Sequence, residues 1–442
     1  MISSIFALYA LLASRDSTIR GRQRYKGSGK RKAGSLNEFG SKQKPSPVEL
    51  LSVPSLTKST GPFPSFFTCR HTYEDVLVQE LEKCLEGKNA YQVSSVGPGL
   101  VMVDGQLDEG HGEEFVIDPV YAMQILPDCR IVGASSSIRG LSNEIASLQA
   151  FNEILAVLPR NCLTIHALVP GMCKGQRDPA MRRRASLVAE QVREVWQKKF
   201  RAVRKAPDHT PQWLLQILLL TPERVAVSLS SCKTSFPSLQ MMWPNPYLPV
   251  GLARVDIEEK MPSSAYRKLL EAFACMRMAP SSNDIVVDLG ASPGGWTAAL
   301  LLVCKCRVVA VDRSELDPKL MKNPSVKFIR GDAFAYQPPR QVAWMVSDVI
   351  AYPERVVELV EDWCGQRWTS SMVITVKFQG AKPAWGDLDR AIGVANSHGF
   401  DARAKHFFNN KNEVTLMLHE RQSAAGTDDP IPRAMYDRSW PP

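Results

Sequence analysis

A chain of 442 residues, 44% of them hydrophobic, has the material for two domains of ordinary size and their cores. Its longest apolar runs, Ile5–Ala13 and Leu214–Leu220, fall well short of the roughly 20 residues that span a bilayer, so no transmembrane helix is expected. The formal charge of +9 is unevenly placed: residues 1–48 hold 10 Lys/Arg against 2 Asp/Glu, and the 24 positions Arg182–Lys205 hold 9 basic against 2 acidic residues, which leaves the remainder net acidic and predicts a single basic face.

Residues 1–48 join a short apolar start to a stretch rich in Ser, Gly, Arg and Lys and poor in acids, the composition of an organelle transit peptide; a basic tail that touches RNA is the alternative. Residues 68–235 read as mixed α and β, with an amphipathic helix over Tyr73–Leu85 and strands at Leu100–Val103, Leu163–Leu168 and Arg224–Leu229. Between the last two strands lies the basic segment, where Leu187, Val188, Val192, Val195, Trp196 and Phe200 recur at helical spacing, so one face is buried and the Arg/Lys face is wet. Arg182, Arg183, Arg184, Lys198, Lys199 and Arg201 on that face are candidates for phosphate contact; a face that is merely solvated is the bland reading. Three prolines in Trp243–Pro249 remove donors and fix the backbone, which marks residues 236–260 as a linker.

From 261 to 420 strand and helix patterns alternate: strands at Ile285–Leu289, Arg307–Val311, Val326–Ile329, Val342–Ser347 and Met372–Val376, and helices at Gly295–Val303, Glu354–Gln366 and Leu388–His398. Such alternation predicts an α/β domain with a parallel, Rossmann-like sheet covered by helices. A closing hairpin, Ala402–Phe408 and Glu413–Leu418 across Asn409–Asn412, adds an antiparallel strand near the sheet edge, and residues 421–442 remain as a tail. Ten cysteines scattered from Cys69 to Cys364 show neither a zinc spacing nor a disulfide framework, which fits a reducing compartment.

The densest signal is Asp288-Leu-Gly-Ala-Ser-Pro-Gly-Gly-Trp-Thr297, standing between a buried strand and a helix. Glycines there let backbone approach a ligand, and the helix start offers free N–H groups. Gly290 and the pair Gly294–Gly295 do not have the dinucleotide spacing, which counts against hydride transfer. Asp312, 24 residues beyond Asp288, ends the next strand, where a carboxylate can accept from ribose hydroxyls; Asp332 follows the strand after that, and Asp348 ends a fourth. Any one of these acids is ordinarily a capping or turn residue, but three at the carboxyl ends of parallel strands line one crevice. Lys377 closes the apolar strand Met372–Phe378 at the same end, and a lysine beside an acid can deprotonate or orient a hydroxyl. Tyr352, just after Asp348, either stacks a base or packs at the rim.

Asp288–Thr297, the strand Trp344–Asp348 with Glu354–Trp363 behind it, and Val376–Phe378 resemble the FtsJ-like ribose 2′-O-methyltransferases, and among these the bacterial ribosomal RNA large subunit methyltransferase M family. The resemblance covers most of residues 261–420 and implies a seven-stranded domain dependent on S-adenosyl-L-methionine, with no metal. It further implies a Lys-Asp-Lys-Glu tetrad: Lys268, in the stretch Pro262–Phe273, then Asp348, Lys377 and Glu413. Gly290, Pro293, Gly294, Trp296, Asp312, Asp332 and Asp348 are the implied cofactor contacts; Ser292 stands where the family's loop carries cysteine. Residues 68–235 resemble a divergent copy of the family's THUMP-containing RNA-binding region. The implied substrate is ribosomal RNA or a pre-ribosomal large subunit, at a cytidine, acted on by a monomer that does not touch a membrane. With the transit reading, the ribosome is an organelle's, the mitochondrion ahead of the plastid. The rival readings are a non-catalytic assembly factor that binds ribosomal RNA and a nicotinamide-dependent oxidoreductase.

Overall fold

The computed structural model describes residues 63–421 apart from 87–90, 106–116, 134, 172–178, 206–210, 254, 256–259 and 381–382; the basic segment 1–48 and residues 422–442 lie outside the described residues. β1 (Ser65–Thr68), α1 (Glu74–Cys84), β2 (Gln92–Gly97), β3 (Leu100–Asp104) and β4 (Gln124–Leu126) supply a first, antiparallel sheet in the order β2-β3-β1-β4. A second sheet, β5-β8-β7-β6, is built from β5 (Arg130–Val132), α2 (Ile138–Ala146), α3 (Gln149–Val157), β6 (Leu163–Leu168), α4 (Pro179–Lys199), β7 (Trp213–Thr221) and β8 (Arg224–Ser231), with only β6 and β7 parallel.

The basic helix forms over Pro179–Lys199 and stops short of Lys205: Phe200 is extended and Arg201–Val203 make a 3-10 turn. Ala185, Val188, Ala189, Val192 and Trp196 recur at three- and four-residue steps and make one buried stripe on α4. The leucine run of β7 is buried on both faces: Leu215, Ile217 and Leu219 pack in the core that contains Trp196, while Leu218 and Leu220 join Phe66 and Leu126 of the first sheet. That double burial removes the alternation by which a strand is usually recognised.

The segment read as a linker, 236–260, is instead a packed connector. β9 (Lys233–Phe236) and β10 (Met241–Trp243) pair as a hairpin, and Leu239, Met241, Trp243, Leu248 and Val250 are buried. Trp243 donates its indole N–H to the carbonyl of Ile117 at 2.8 Å. The prolines exclude α-helix, leaving one 3-10 turn at Pro249–Gly251, and the apolar residues between them have cores to enter.

The C-terminal half contains α5 (Tyr266–Met276), β11 (Ile285–Leu289), α6 (Gly295–Ala299), which widens into a π-helical turn at Leu300–Cys304, β12 (Arg307–Asp312), α7 (Pro318–Met321), β13 (Val326–Arg330), β14 (Val342–Ser347), α8 (Pro353–Gly365), β15 (Thr369–Lys377), α9 (Trp385–Ser397), β16 (Phe400–Lys405) and β17 (Glu413–Glu420). Its seven strands run in the order β13-β12-β11-β14-β15-β17-β16. All pairs from β13 to β15 are parallel, and β17 is antiparallel to both of its neighbours, the mixed sheet of a methyltransferase fold. The order reverses between β11 and β14, so the crevice for a ligand opens at the carboxyl ends of those two strands.

The two halves are joined by buried charge. Lys405, on the edge strand β16, donates to Asp118 Oδ1 at 2.6 Å and to the carbonyls of Pro119 and Ala122, and Arg403 donates to the same Asp118 oxygen at 2.5 Å. Burial acts to raise the Asp118 pKa, but Arg403 and Lys405 outweigh it and hold the carboxyl below its usual range. Glu271 on α5, 1% exposed, accepts the backbone N–H of Asn409 at 3.0 Å, and burial pushes its carboxyl up to about 8.

Replacing Lys405 with Met leaves Asp118 with one cation fewer, and the expected loss is about 3 kcal/mol by urea unfolding; Val157→Ala, at an exposed position, should change stability by less than about 0.5 kcal/mol. A carboxyl raised by folding contributes stability that is complete below its unfolded pKa, near 4.5, and lost as pH rises through about 8. Glu271→Gln should therefore match the parent protein at the acid end of this window and gain on it steadily towards pH 8 in thermal melts; a difference that does not vary with pH would contradict the assignment.

Candidate active site

The chain passes from β11 into the crevice through the loop 288–294. Asp288 is fully buried and accepts from the Thr297 hydroxyl at 2.6 Å, which ties the strand end to α6; burial pushes its carboxyl up to about 7. Gly290 and Gly294 have φ of +73° and +110°. A Cβ at Gly290 would lie 2.8 Å from Val349 Cβ and 2.9 Å from its Cα, so glycine is required there for both conformation and space, while at Gly294, where the only close atom is the Leu320 Cδ1 methyl, the requirement is conformational.

Around this loop stand the expected acids. Asp312 accepts the Ser292 N–H on Oδ2 at 3.0 Å and the Ser314 N–H on Oδ1 at 2.7 Å, and so fixes both the loop and itself. Asp332 accepts the Phe334 N–H at 2.9 Å and an Arg313 N–H at 2.5 Å; the Phe334 amide, followed by Arg313, holds its carboxyl below the usual range. Each carboxylate oxygen keeps a second lone pair. No atom would lie within 4 Å of a Cβ at Gly331, so there is open space beside Asp332. Half-exposed acceptors at the ends of β12 and β13, beside a glycine loop, fit a ligand that presents ribose hydroxyls and an amine, as S-adenosylmethionine does. Pro293 is exposed at the loop tip. Trp296 departs from expectation: it is buried in the core with Leu269 and Phe273, and its indole N–H is taken by the Ala265 carbonyl at 2.9 Å, so it braces α5 rather than facing the crevice.

Lys268, Asp348, Lys377 and Glu413 converge, although 145 positions separate the first from the last. Lys268 Nζ lies 2.7 and 2.8 Å from the two carboxylate oxygens of Asp348 and 3.1 Å from Glu413 Oε1. Lys377 Nζ is 3.2 Å from Asp348 Oδ1 and donates to the Asp348 carbonyl at 2.7 Å. Lys377 and Glu413 are directly opposed across β15 and β17. The cluster is two cations and two anions, each with an opposite charge in contact, which is what permits Lys268 to be 6% exposed. The side chain of Lys377 is the most accessible of the four, at 20%, and so is the amine placed to meet an incoming hydroxyl.

The basic helix divides into two kinds of residue. Arg184 in α4 donates to the carbonyls of Pro222 and Ser136, and Arg201, in the 3-10 turn beyond α4, to that of Leu158 at 3.0 Å, so these two guanidiniums tie the basic segment to neighbouring loops. Arg182 is half-buried, whereas Arg183, Lys198 and Lys199 are exposed. Sequence reading missed Asp288 as the brace of the loop and Glu271 as the partner of the closing turn. Asp288 opens the glycine motif and carries a signal; a buried acid inside a helix such as Glu271 carries none until its tertiary partner is known.

Residues 261–363 match the model of the FtsJ-like methyltransferase family. A ribosomal RNA large subunit methyltransferase M from Shewanella frigidimarina is 34% identical over 182 residues, 38% of this chain and 50% of that protein. One of the same description from Laribacter hongkongensis is 31% identical over 223 residues, 48% and 60% of the two chains. This chain spans about half the length of the curated relatives it matches. With the tetrad assembled at the ends of β14, β15 and β17, the chain carries an FtsJ-like methyltransferase domain akin to that of the ribosomal RNA large subunit methyltransferase M proteins.

Proposed function

We propose that this protein is an S-adenosylmethionine-dependent ribose 2′-O-methyltransferase that acts on ribosomal RNA, with a cytidine of the large-subunit RNA as its target. The observation that carries the reading is the contact of Lys377 and Lys268 with one carboxylate, Asp348, at the mouth of a crevice lined by Asp312 and Asp332.

Bound S-adenosylmethionine supplies the methyl group and its leaving group. Asp312 and Asp332 accept from the ligand's hydroxyl and amine donors, while the loop from Gly290 to Gly294 brings backbone close to it. Asp348 holds Lys377 in place, and Lys377 Nζ orients the ribose 2′-hydroxyl and stabilises the charge that develops on its oxygen as the oxygen takes the methyl group and releases its proton to solvent. Lys268 and Glu413 orient the ribose. Alignment of the acceptor oxygen carries much of the rate, which is why four side chains locked by mutual contact suit the task.

Residues 68–235 act as a THUMP-like RNA-binding region, in which the exposed Arg183, Lys198 and Lys199 follow phosphates without reading bases. Arg182 and Arg183 stand beside one another near the start of α4, a concentration of positive charge that an RNA partner would favour. For the compartment, the composition of residues 1–48 favours an organelle, and the mitochondrion is the proposed one.

Methyl transfer from labelled S-adenosylmethionine to large-subunit RNA lacking the modification should occur at one ribose with the native protein and fall about 10²–10³-fold in Lys377→Ala, with cofactor affinity retained. Binding of both ligands without transfer by the native protein, on free RNA and on pre-ribosomes, would point instead to a non-catalytic RNA-binding role. Changing Lys198 and Lys199 together to Ala should weaken RNA binding across sequences and lower the slope of log affinity against log salt by about 2; an unchanged slope would remove this face from the interface.

A further inference from the structure

We propose that Tyr73, from the N-terminal half, is a positioning residue for the active site, holding Glu413 against Lys268 through the turn that joins β16 to β17. The connection is continuous. Tyr73 Oη donates to the carbonyl of Lys411 at 2.6 Å. The backbone N–H of Lys411 in turn donates to Glu413 Oε1 at 3.4 Å, and that same carboxylate oxygen lies 3.1 Å from Lys268 Nζ. A hydroxyl 338 positions away along the chain thus bears on the last member of the tetrad through a single residue.

The phenol is itself held. Its ring centroid is 4.1 Å from that of the buried His406, whose Nε2 donates to the same Lys411 carbonyl at 2.9 Å, and 5.8 Å from that of Tyr121. Burial lowers the His406 pKa to about 4, so the imidazole is neutral with its proton on the nitrogen that faces the carbonyl. Elsewhere the turn is fixed from the catalytic half: Glu271 accepts the Asn409 N–H at 3.0 Å, Asn410 Oδ1 accepts the Phe407 N–H at 2.7 Å, and Asn412 Nδ2 donates to the carbonyls of Phe378 and Gly380. Phe378 follows Lys377 directly, so the turn also registers the strand end that carries this lysine. At Lys411 the carbonyl is held from both halves, by His406 and by Tyr73, and the Tyr73 hydroxyl is the contact that the N-terminal half contributes.

The inference rests on the reading of this tetrad as a methyl-transfer site. Its test is Tyr73→Phe in the full chain, which removes one oxygen and keeps the ring stack. Amide hydrogen exchange in the segment 407–413 should quicken several-fold while the melting temperature stays within about two degrees of the parent. Turnover should fall about tenfold with KM for the RNA and for the cofactor unchanged; a smaller folded fraction would also lower turnover at constant KM, so the unchanged melting temperature beside locally quickened exchange is the readout that separates the two. Unchanged exchange in 407–413 would overturn the proposal, and so would quickened exchange with full turnover. A native protein that binds cofactor and RNA but transfers no methyl would overturn the function proposed above, and the exchange measurement would still decide whether Tyr73 holds the turn.

Discussion

Lysine 268 is charged and almost wholly out of water, and the arrangement of the C-terminal half answers to that fact. A lone ammonium at such depth costs several kcal/mol, which the two oxygens of Asp348 and one of Glu413 offset by direct contact. Asp348 then needs its second cation, Lys377, to share its charge. Because the four groups come from α5 and from the ends of β14, β15 and β17, they meet only if the strands stand in their observed order and register. The demands of fold and of chemistry coincide here: an error in packing that moves α5 by an ångström is also an unpaired buried charge.

The catalytic half was more legible than the half before it, for a physical reason. Parallel strands buried on both faces read as apolar runs, each ended by a polar residue where it leaves the sheet, so β12, β14 and β15 announced their own ends at Asp312, Asp348 and Lys377, while β11 runs one residue past Asp288 to Leu289. The short strands β1, β4, β5, β9 and β10, three or four residues each, carry too few positions to show a period, and β7 lacks alternation because both of its faces are covered. Trp296 shows what a motif position leaves open: its place in the glycine motif suggested a ligand, and its side chain packs between α5 and the sheet. The connector 236–260 was read by its prolines, which govern backbone, when its buried Met, Leu and Trp side chains decide where it lies. Tyr73 and Glu271 were out of reach altogether, since what they do depends on partners 338 and 138 positions away.

The N-terminal half is more than an appendage. Its loop at Asp118–Ala122 takes up Arg403 and Lys405 from the edge strand β16, and Phe67, Leu77 and Val101 share one core with Trp363 and Phe400 of the catalytic half.

The place of β17 has a consequence for the order of synthesis. The strand enters the sheet between β15 and β16, antiparallel to both, although it follows them in the chain. Until residues 413–420 have emerged from the ribosome, β15 has an open edge lined with apolar side chains, β16 has no partner in the sheet, and Lys268 lacks one of its two carboxylates. The nascent protein thus passes through a stage in which the cofactor loop is complete and the lysine cluster is not. A chain stopped short of Glu413 would present to its surroundings an unpaired, largely hydrophobic strand edge, the kind of surface that chaperones and proteases recognise.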